Sequence, residues 1–360
     1  MSTVSVTNLK NAASGTNNLV LATDGNVSIS GNNYSPQTGF KNRIINGDMR
    51  IDQRNAGAAI TSNGGFPVDR WKQNMSGGGV ISGQQSTVVP AGFTNSLSQT
   101  VNTADSSIAA GDYYYLTYNI EGFNVGDFSW GTANAQTITL SFQVRSSVTG
   151  TYAVAFGNSA FNRLYVATYT VNSANTYETK TVTIPGDTSG TWLTDNGIGL
   201  RVYFDLGSGS NYNASSSGAW LGSGVGIRTS ATINWIANAG ATFYITGVQL
   251  ELGSVATPFE FRSIGQELGL CQRYYSVVSG FSGYGYFAGG SASLITTVPL
   301  PVTMRAAPTV TITSSGSLTA GFSTTVYGTS GLTAFSYQVI SNAAATGGSL
   351  LASATAAIEL

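Results

Sequence analysis

The sequence predicts a mainly β protein, with an N-terminal β-ribbon, a central jelly-roll β-sandwich, one short helix and a smaller C-terminal β domain. Composition is the first reason. Of 360 residues 45 are glycine, and 15 basic and 16 acidic side chains are scattered among serine, threonine and asparagine, leaving few windows able to sustain a long helix. The second reason is repetition. Short β-branched or aromatic runs recur, each bounded by Gly, Asn, Asp or Pro, as in sandwiches and barrels. The third is that only residues after Pro258 carry a helix start signal followed by helical spacing.

Residues 1–39 read as an attachment ribbon and linker. Val4 and Val6, Leu19 and Leu21, and Val27 and Ile29 alternate, with Asp24-Gly25 as a hairpin turn between the last two pairs. A short ribbon is marginal alone in water, so these six residues are expected to pair with, or dock on, another chain. Residues 32–39, NNYSPQTG, read as linker. The sandwich is expected over residues 40–262. It opens with a lead-in segment bearing nine charges, Lys41, Arg43, Asp48, Arg50, Asp52, Arg54, Asp69, Arg70 and Lys72. Their signs are mixed and Ile44, Ile45, Met49, Ile51, Phe66, Val68 and Trp71 are interleaved, which predicts a segment tied down by ion pairs, with Trp71 in the core.

Strands follow at 113–118, 137–144, 152–156, 165–171, 177–184 and 200–206. In the second of these, alternation assigns Ile138, Leu140, Phe142 and Val144 to the core and Thr137, Thr139, Ser141 and Gln143 to solvent. The run Tyr113–Tyr118 should expose one half of its rings. From Phe243 to Leu252 the apolar phase changes at Thr246-Gly247, the mark of a β-bulge that returns both halves to one face.

Ser263-x-x-Gln266 forms a capping box, and Ile264, Leu268, Cys271 and Tyr275 follow at helical spacing, giving a connecting helix within 263–278, about ten to fourteen residues long. Its lone Cys271 is expected to be buried and inert at the domain junction. Residues 279–360 hold one base, Arg305, and one acid, Glu359. Strands at 294–298, 309–313, 325–327 and 335–340 suggest a β domain whose uncharged surface packs on copies of itself.

Several function classes are disfavoured. Histidine is absent, which removes Ser/His/Asp and Cys/His triads and histidine metal sites. A net charge of -1 gives no basic footprint for nucleic acid or an anionic membrane, and no apolar run approaches the roughly 20 residues of a spanning helix. With no leader pattern, the chain is expected to be made in a cytoplasm and to act outside a cell only after lysis or within a particle. No cofactor or metal is expected, since no phosphate-cradling loop or ligand-dense calcium loop appears. Acid/base work would fall to the carboxylates; Asp195 and Asp205 flank one strand too far apart to act as direct neighbours, though other pairs remain open.

Sugar binding is the sharper expectation. In the loop 207–224, Tyr212 and Trp220 stand among residues with little to bury, and an exposed ring can stack on a pyranose while amides take its hydroxyls. The alternative for Trp220 is to fold back and cap the sandwich. Trp130, after Asp127-Phe128-Ser129, is the third candidate, at a loop tip or at the sandwich edge.

The chain resembles virion proteins of tailed bacteriophages, the tail-fibre and capsid-associated group built on a jelly-roll module. The likeness rests on NNLVLATDGNVSISG, on Asn42 to Met49 with Gln53-Arg54, on Val68-Asp69-Arg70-Trp71, on Ile245 to Tyr275 and on Leu300 to Ile312. The resemblance implies a β-rich, usually trimeric particle component with a short N-terminal attachment region; together with the absence of catalytic signals it leads to the expectation of a non-enzymatic protein. Expected partners are other copies of the chain, other virion proteins and host surface polysaccharide, and the expected location is the virion. A tail-fibre or receptor-binding role is favoured over a head fibre or capsid decoration protein, and over a polysaccharide depolymerase.

Overall fold

A computed structural model describes residues 40–222, 226–287, 292–327, 330–341 and 345–360, with four short strands ahead of them. Those strands, β1 (Asn8–Leu9), β2 (Leu19–Leu21), β3 (Val27–Ile29) and β4 (Asn32–Tyr34), form an antiparallel meander. Leu19 pairs with Ile29 and Leu21 with Val27, the expected hairpin register. Val4, Val6 and Asp24-Gly25 lie outside the described residues. The expected linker begins instead with a strand, because Asn32 to Tyr34 need only pair on one side as an edge.

The sandwich strands follow in order: β5 (Trp71–Ser76), β6 (Val80–Ser86), β7 (Ser96–Thr103), β8 (Tyr113–Glu121), β9 (Ile138–Ser146), β10 (Gly150–Gly157), β11 (Leu164–Val171), β12 (Glu178–Ile184), β13 (Ile198–Asp205), β14 (Trp220–Leu221) and β15 (Thr242–Leu252). One sheet runs β14-β11-β10-β13-β8-β5, and the other runs β12-β9-β15-β7-β6. Their inner faces enclose Trp71, Tyr118, Phe142, Phe204 and Phe243. Trp71 meets Tyr118 at 5.0 Å and Phe142 meets Phe204 edge-on at 5.2 Å.

Alternation in β9 holds for Ile138, Leu140, Phe142 and Val144, all fully buried. Thr139, expected in solvent, is buried as well; its hydroxyl donates to the Gly253 carbonyl at 2.8 Å, where the chain folds over it after β15. The bulge is present. Thr246 pairs with Gln143 but Gln249 with Ser141, so one extra residue is absorbed at Gly247 and Phe243, Ile245, Val248 and Leu250 all face the core.

The lead-in segment is a buried polar insert held by its own amides. Asn42 donates to the Val248 carbonyl at 3.1 Å and accepts from the Leu250 amide at 3.0 Å, while Asn46 spans Ile51 and Asp69. These bonds satisfy backbone groups that no strand pairs. Gly47 passes so close to Val248 that a side chain there would overlap its carbonyl.

Helix α1 (Ile264–Gln272) starts on the expected capping box, with Ser263 and Gln266 bonded reciprocally, and is slightly shorter than expected. The apolar stripe is corrected: Ile264 is 55% exposed, and the inward positions belong to Glu267 and Cys271. The helix packs on the polar lead-in segment, where Glu267 accepts from the Asn46 amide and pairs with Arg262. Tyr274 rather than Tyr275 is buried at the helix end.

The last 86 residues, 275–360, begin with β16 (Tyr275–Phe287) and continue through β17 (Ser293–Pro299), β18 (Thr309–Ser314), β19 (Ser317–Leu318), β20 (Phe322–Val326), β21 (Ala334–Ser341) and β22 (Ala345–Ala357). They form a second pair of sheets, β16-β22-β18 with β19 beside β22, and β17-β21-β20, around Phe281, Phe335, Tyr337 and the alanine row 352, 354, 356. No helix among the described residues is long and apolar enough to cross a membrane.

Candidate functional site

An aromatic cleft lies at one end of the sandwich, between the β8–β9 and β12–β13 loops, and has a volume of about 370 Å³. That is within the range of roughly 300–1,000 Å³ typical of small-molecule sites. One wall is made by two 3-10 turns, Gly122–Asn124 and Gly126–Phe128, which sink Phe128 into the core and leave Ser129 left-handed at φ 53°. Trp130 follows, its indole N–H donating to the Gln136 carbonyl at 2.7 Å. The other wall hangs on Asp187, gripped by two bonds from Arg163 at 2.7 and 2.6 Å. Asp187 accepts the Ser189 amide, and Trp192 closes the loop with its N–H on the Ser189 carbonyl at 3.1 Å.

Trp130, Trp192 and Trp220 meet edge to face, with centroids 4.7, 5.2 and 5.4 Å apart. Phe128, Trp130, Thr132, Asn134, Trp192 and Thr194 line the opening, and no acidic or basic side chain is part of the lining. The two nearest carboxylates in sequence are engaged elsewhere: Asp127 pairs with Arg43 at 2.6 Å and Asp195 accepts the Gly197 amide at 2.8 Å. Rings held by their own N–H bonds, beside the Asn134 amide and the hydroxyls of Ser129, Thr132 and Thr194, form a surface for the C–H faces and hydroxyls of a sugar.

The three sequence candidates therefore separate. Trp130 lines the cleft. Trp220 is outside the lining: half-buried, it is paired with Tyr165 across β14–β11, bonded to the Pro185 carbonyl and packed against the sandwich end. Tyr212 is elsewhere, in the turn Ser210–Tyr212 on the outer face of the six-stranded sheet, 6.0 Å from Tyr113. Sequence reasoning missed Trp192. Its setting, Gly190-Thr191-Trp192 in a polar loop, carries the same signal that selected Trp220. Among the described residues no group of three or more acidic or cysteine side chains is placed to hold a metal.

The fold defined here is an antiparallel β-sandwich with an aromatic cleft at one end. No family model matches the chain, and no curated protein matches it in sequence. Among solved structures, the enzymatically active domain of tailspike protein 4 from bacteriophage CBA120 is 13% identical, with 59% of this chain and 22% of that one covered and a TM-score of 0.30. The chain thus spans about a fifth of that domain's length. A family 11 carbohydrate-binding module from Clostridium thermocellum, solved with a mixed-linked tetrasaccharide, is 14% identical, with 57% and 99% covered and a TM-score of 0.29. Overlaps this loose say nothing of ligand or role.

Proposed function

We propose that the protein is a non-enzymatic structural component of a tailed-phage particle, a trimeric tail-fibre or receptor-binding protein that contacts host surface glycans. The glycan reading is carried by one observation, the cleft of Trp130 and Trp192, rigid, ring-lined and free of charged side chains. A lining with amide and hydroxyl groups but no carboxylate suits holding a sugar rather than cleaving its bond, which needs two carboxylates about 5 to 10 Å apart. The particle role rests on the sequence likeness, with residues 1–39 as the attachment region. Self-association draws support from the second pair of sheets, where Arg305 is the one charged residue between Tyr275 and Ile358.

The test is adsorption. Trp192→Ala should weaken oligosaccharide binding and slow adsorption to host cells while the thermal midpoint stays close to wild type. Undiminished adsorption, or sugar release from host polysaccharide by the purified protein, would reject the proposal.

A further inference from the structure

Depth in the tryptophan cleft sorts its lining by polarity. At the mouth stand Ser129, Thr132, Asn134 and Thr194, all half-buried or exposed. The Thr132 hydroxyl is engaged, donating to the Ser129 carbonyl at 2.6 Å and accepting the Asn134 amide at 3.2 Å. The Ser129 and Thr194 hydroxyls and the Asn134 side-chain amide make no hydrogen bond among the described residues, so three polar groups at the mouth are open to a ligand.

The base is different. Its surface is made by Val125, 7% exposed, and half-buried Leu193, alongside the Trp130 and Trp192 rings, with Phe128 and Leu200 wholly enclosed. Both indole N–H groups are already bonded, to the Gln136 and Ser189 carbonyls. The nearby carbonyls are occupied too. Those of Val125 and Gly126 accept the Phe128 and Ser129 amides at 3.0 and 3.3 Å. That of Leu193 is pressed onto Gly122 and Gly199, where an added Cβ would lie 2.5 and 2.9 Å from it. A hydroxyl lodged at this base leaves water without a new partner, a loss of about tenfold or more in affinity, whereas a methyl group there gains from the same apolar contact.

We infer that the cleft takes a pyranose with a methyl-bearing edge inward, and so selects a 6-deoxyhexose or an N-acetylhexosamine over its methyl-free counterpart. This rests on the glycan reading above and narrows it. Val125 and Leu193 receive the methyl group, Trp130 and Trp192 the C–H faces, and Ser129, Asn134 and Thr194 the ring hydroxyls at the mouth. An apolar pocket turns away an added hydroxyl by no more than about a hundredfold, so the preference falls between about tenfold and a hundredfold.

Matched pairs test the assignment: L-rhamnose against L-mannose, L-fucose against L-galactose, and N-acetylglucosamine against glucose. Each is titrated into the full chain and followed by tryptophan fluorescence and saturation-transfer NMR. At least one methyl-bearing sugar should bind about tenfold more tightly than its counterpart, with its methyl protons among those most strongly saturated. Which pair discriminates separates the deoxy from the acetamido source. Val125→Thr keeps the side-chain shape but sets a hydroxyl at the base, and should narrow the ratio to about threefold or less. If that variant does not fold, Leu193→Asn makes the same change at a half-buried position. Equal binding within all three pairs, or a ratio unchanged in the folded variant, overturns this inference and leaves the glycan reading standing. No binding of any of the six sugars also overturns it, and the glycan reading then stands or falls on the adsorption of Trp192→Ala.

Discussion

Arg70 and Glu359, 289 residues apart in the chain, form an ion pair inside the junction between the two pairs of sheets. Arg70 is enclosed, with the Tyr274 ring 3.5 Å from its guanidinium and the Asn119 carbonyl accepting a further bond at 2.6 Å. Glu359 also takes Arg54 at 2.7 Å, and the Leu360 carbonyl accepts from Asn119. The end of β22 is therefore clasped by the lead-in segment. Glu359→Ala strands a buried arginine and should cost about 3 kcal/mol, the usual loss when one partner of a buried pair is removed. Chemical denaturation checks this, and a loss below about 1 kcal/mol would show the pair to be solvent-screened.

Acid should at first stabilise the protein. Burial raises the Asp69 carboxyl to about 6 against the opposing pull of Arg54 and Gln53, and burial likewise raises Asp205 and Glu267. Each folded-state value lies above the unfolded one, so the folded form binds its proton first. Stability should rise as pH falls through about 6, on the order of 1–2 kcal/mol, and the gain ends once the unfolded chain also protonates near 4. Glu121 works the other way. Burial would raise it, but bonds from Arg273 and Tyr274 outweigh this and hold it below the usual range, so its contribution is lost in stronger acid. Thermal midpoints should therefore peak between about pH 4 and 5, and Asp69→Asn should flatten the rise between 7 and 5.

How far the sequence could be read follows from what each signal depends on. Strands built from branched and aromatic residues were legible because their alternation states both the period and the buried face, as at Ile138 to Val144. Strand β22 was not, since ATGGSLLASATAA has weak strand preference and its inward alanines are small enough to look like linker. Glu267 took the place expected for Ile264 because the surface under the helix is polar, which the helix's own sequence does not state. Tyr212 and Trp220 seemed one site by proximity. The chain between them crosses the sheet edge, and β14 pairing packs Trp220 against the sandwich end while Tyr212 stays on the outer face.

Cys271 should resist thiol reagents in the native state. It is fully buried on α1, and burial pushes its thiol well above the ordinary range, leaving no thiolate to react. Labelling at the rate of an unfolded control would place the helix elsewhere.

Trp220 and Trp192 should fail differently. Trp220 touches Trp130, Trp192 and Tyr165 and lies outside the cleft lining, so Trp220→Ala should cost about 3 kcal/mol of stability. Trp192→Ala, on the lining itself, should chiefly lose sugar affinity. A destabilisation by Trp192→Ala as large as that by Trp220→Ala would make the whole cluster core.

The bulge in β15 rests on Gly247, at φ 59° with the Phe93 ring packed above it, so that an added Cβ would come within 2.6 Å of Phe93. Gly247→Ala meets both a left-handed backbone and the tip of the half-buried Phe93 ring, which would have to shift. The expected cost is about 1–3 kcal/mol. Relief by deleting the residue should be worse, because removing the extra position shifts Val248 and Leu250 onto the outer face and carries the Asn42 bonds to Val248 and Leu250 out of register. Denaturation of both variants gives the order. If the deletion is the more stable, the bulge is an accommodation to Phe93 rather than the device that turns both halves of β15 into the core.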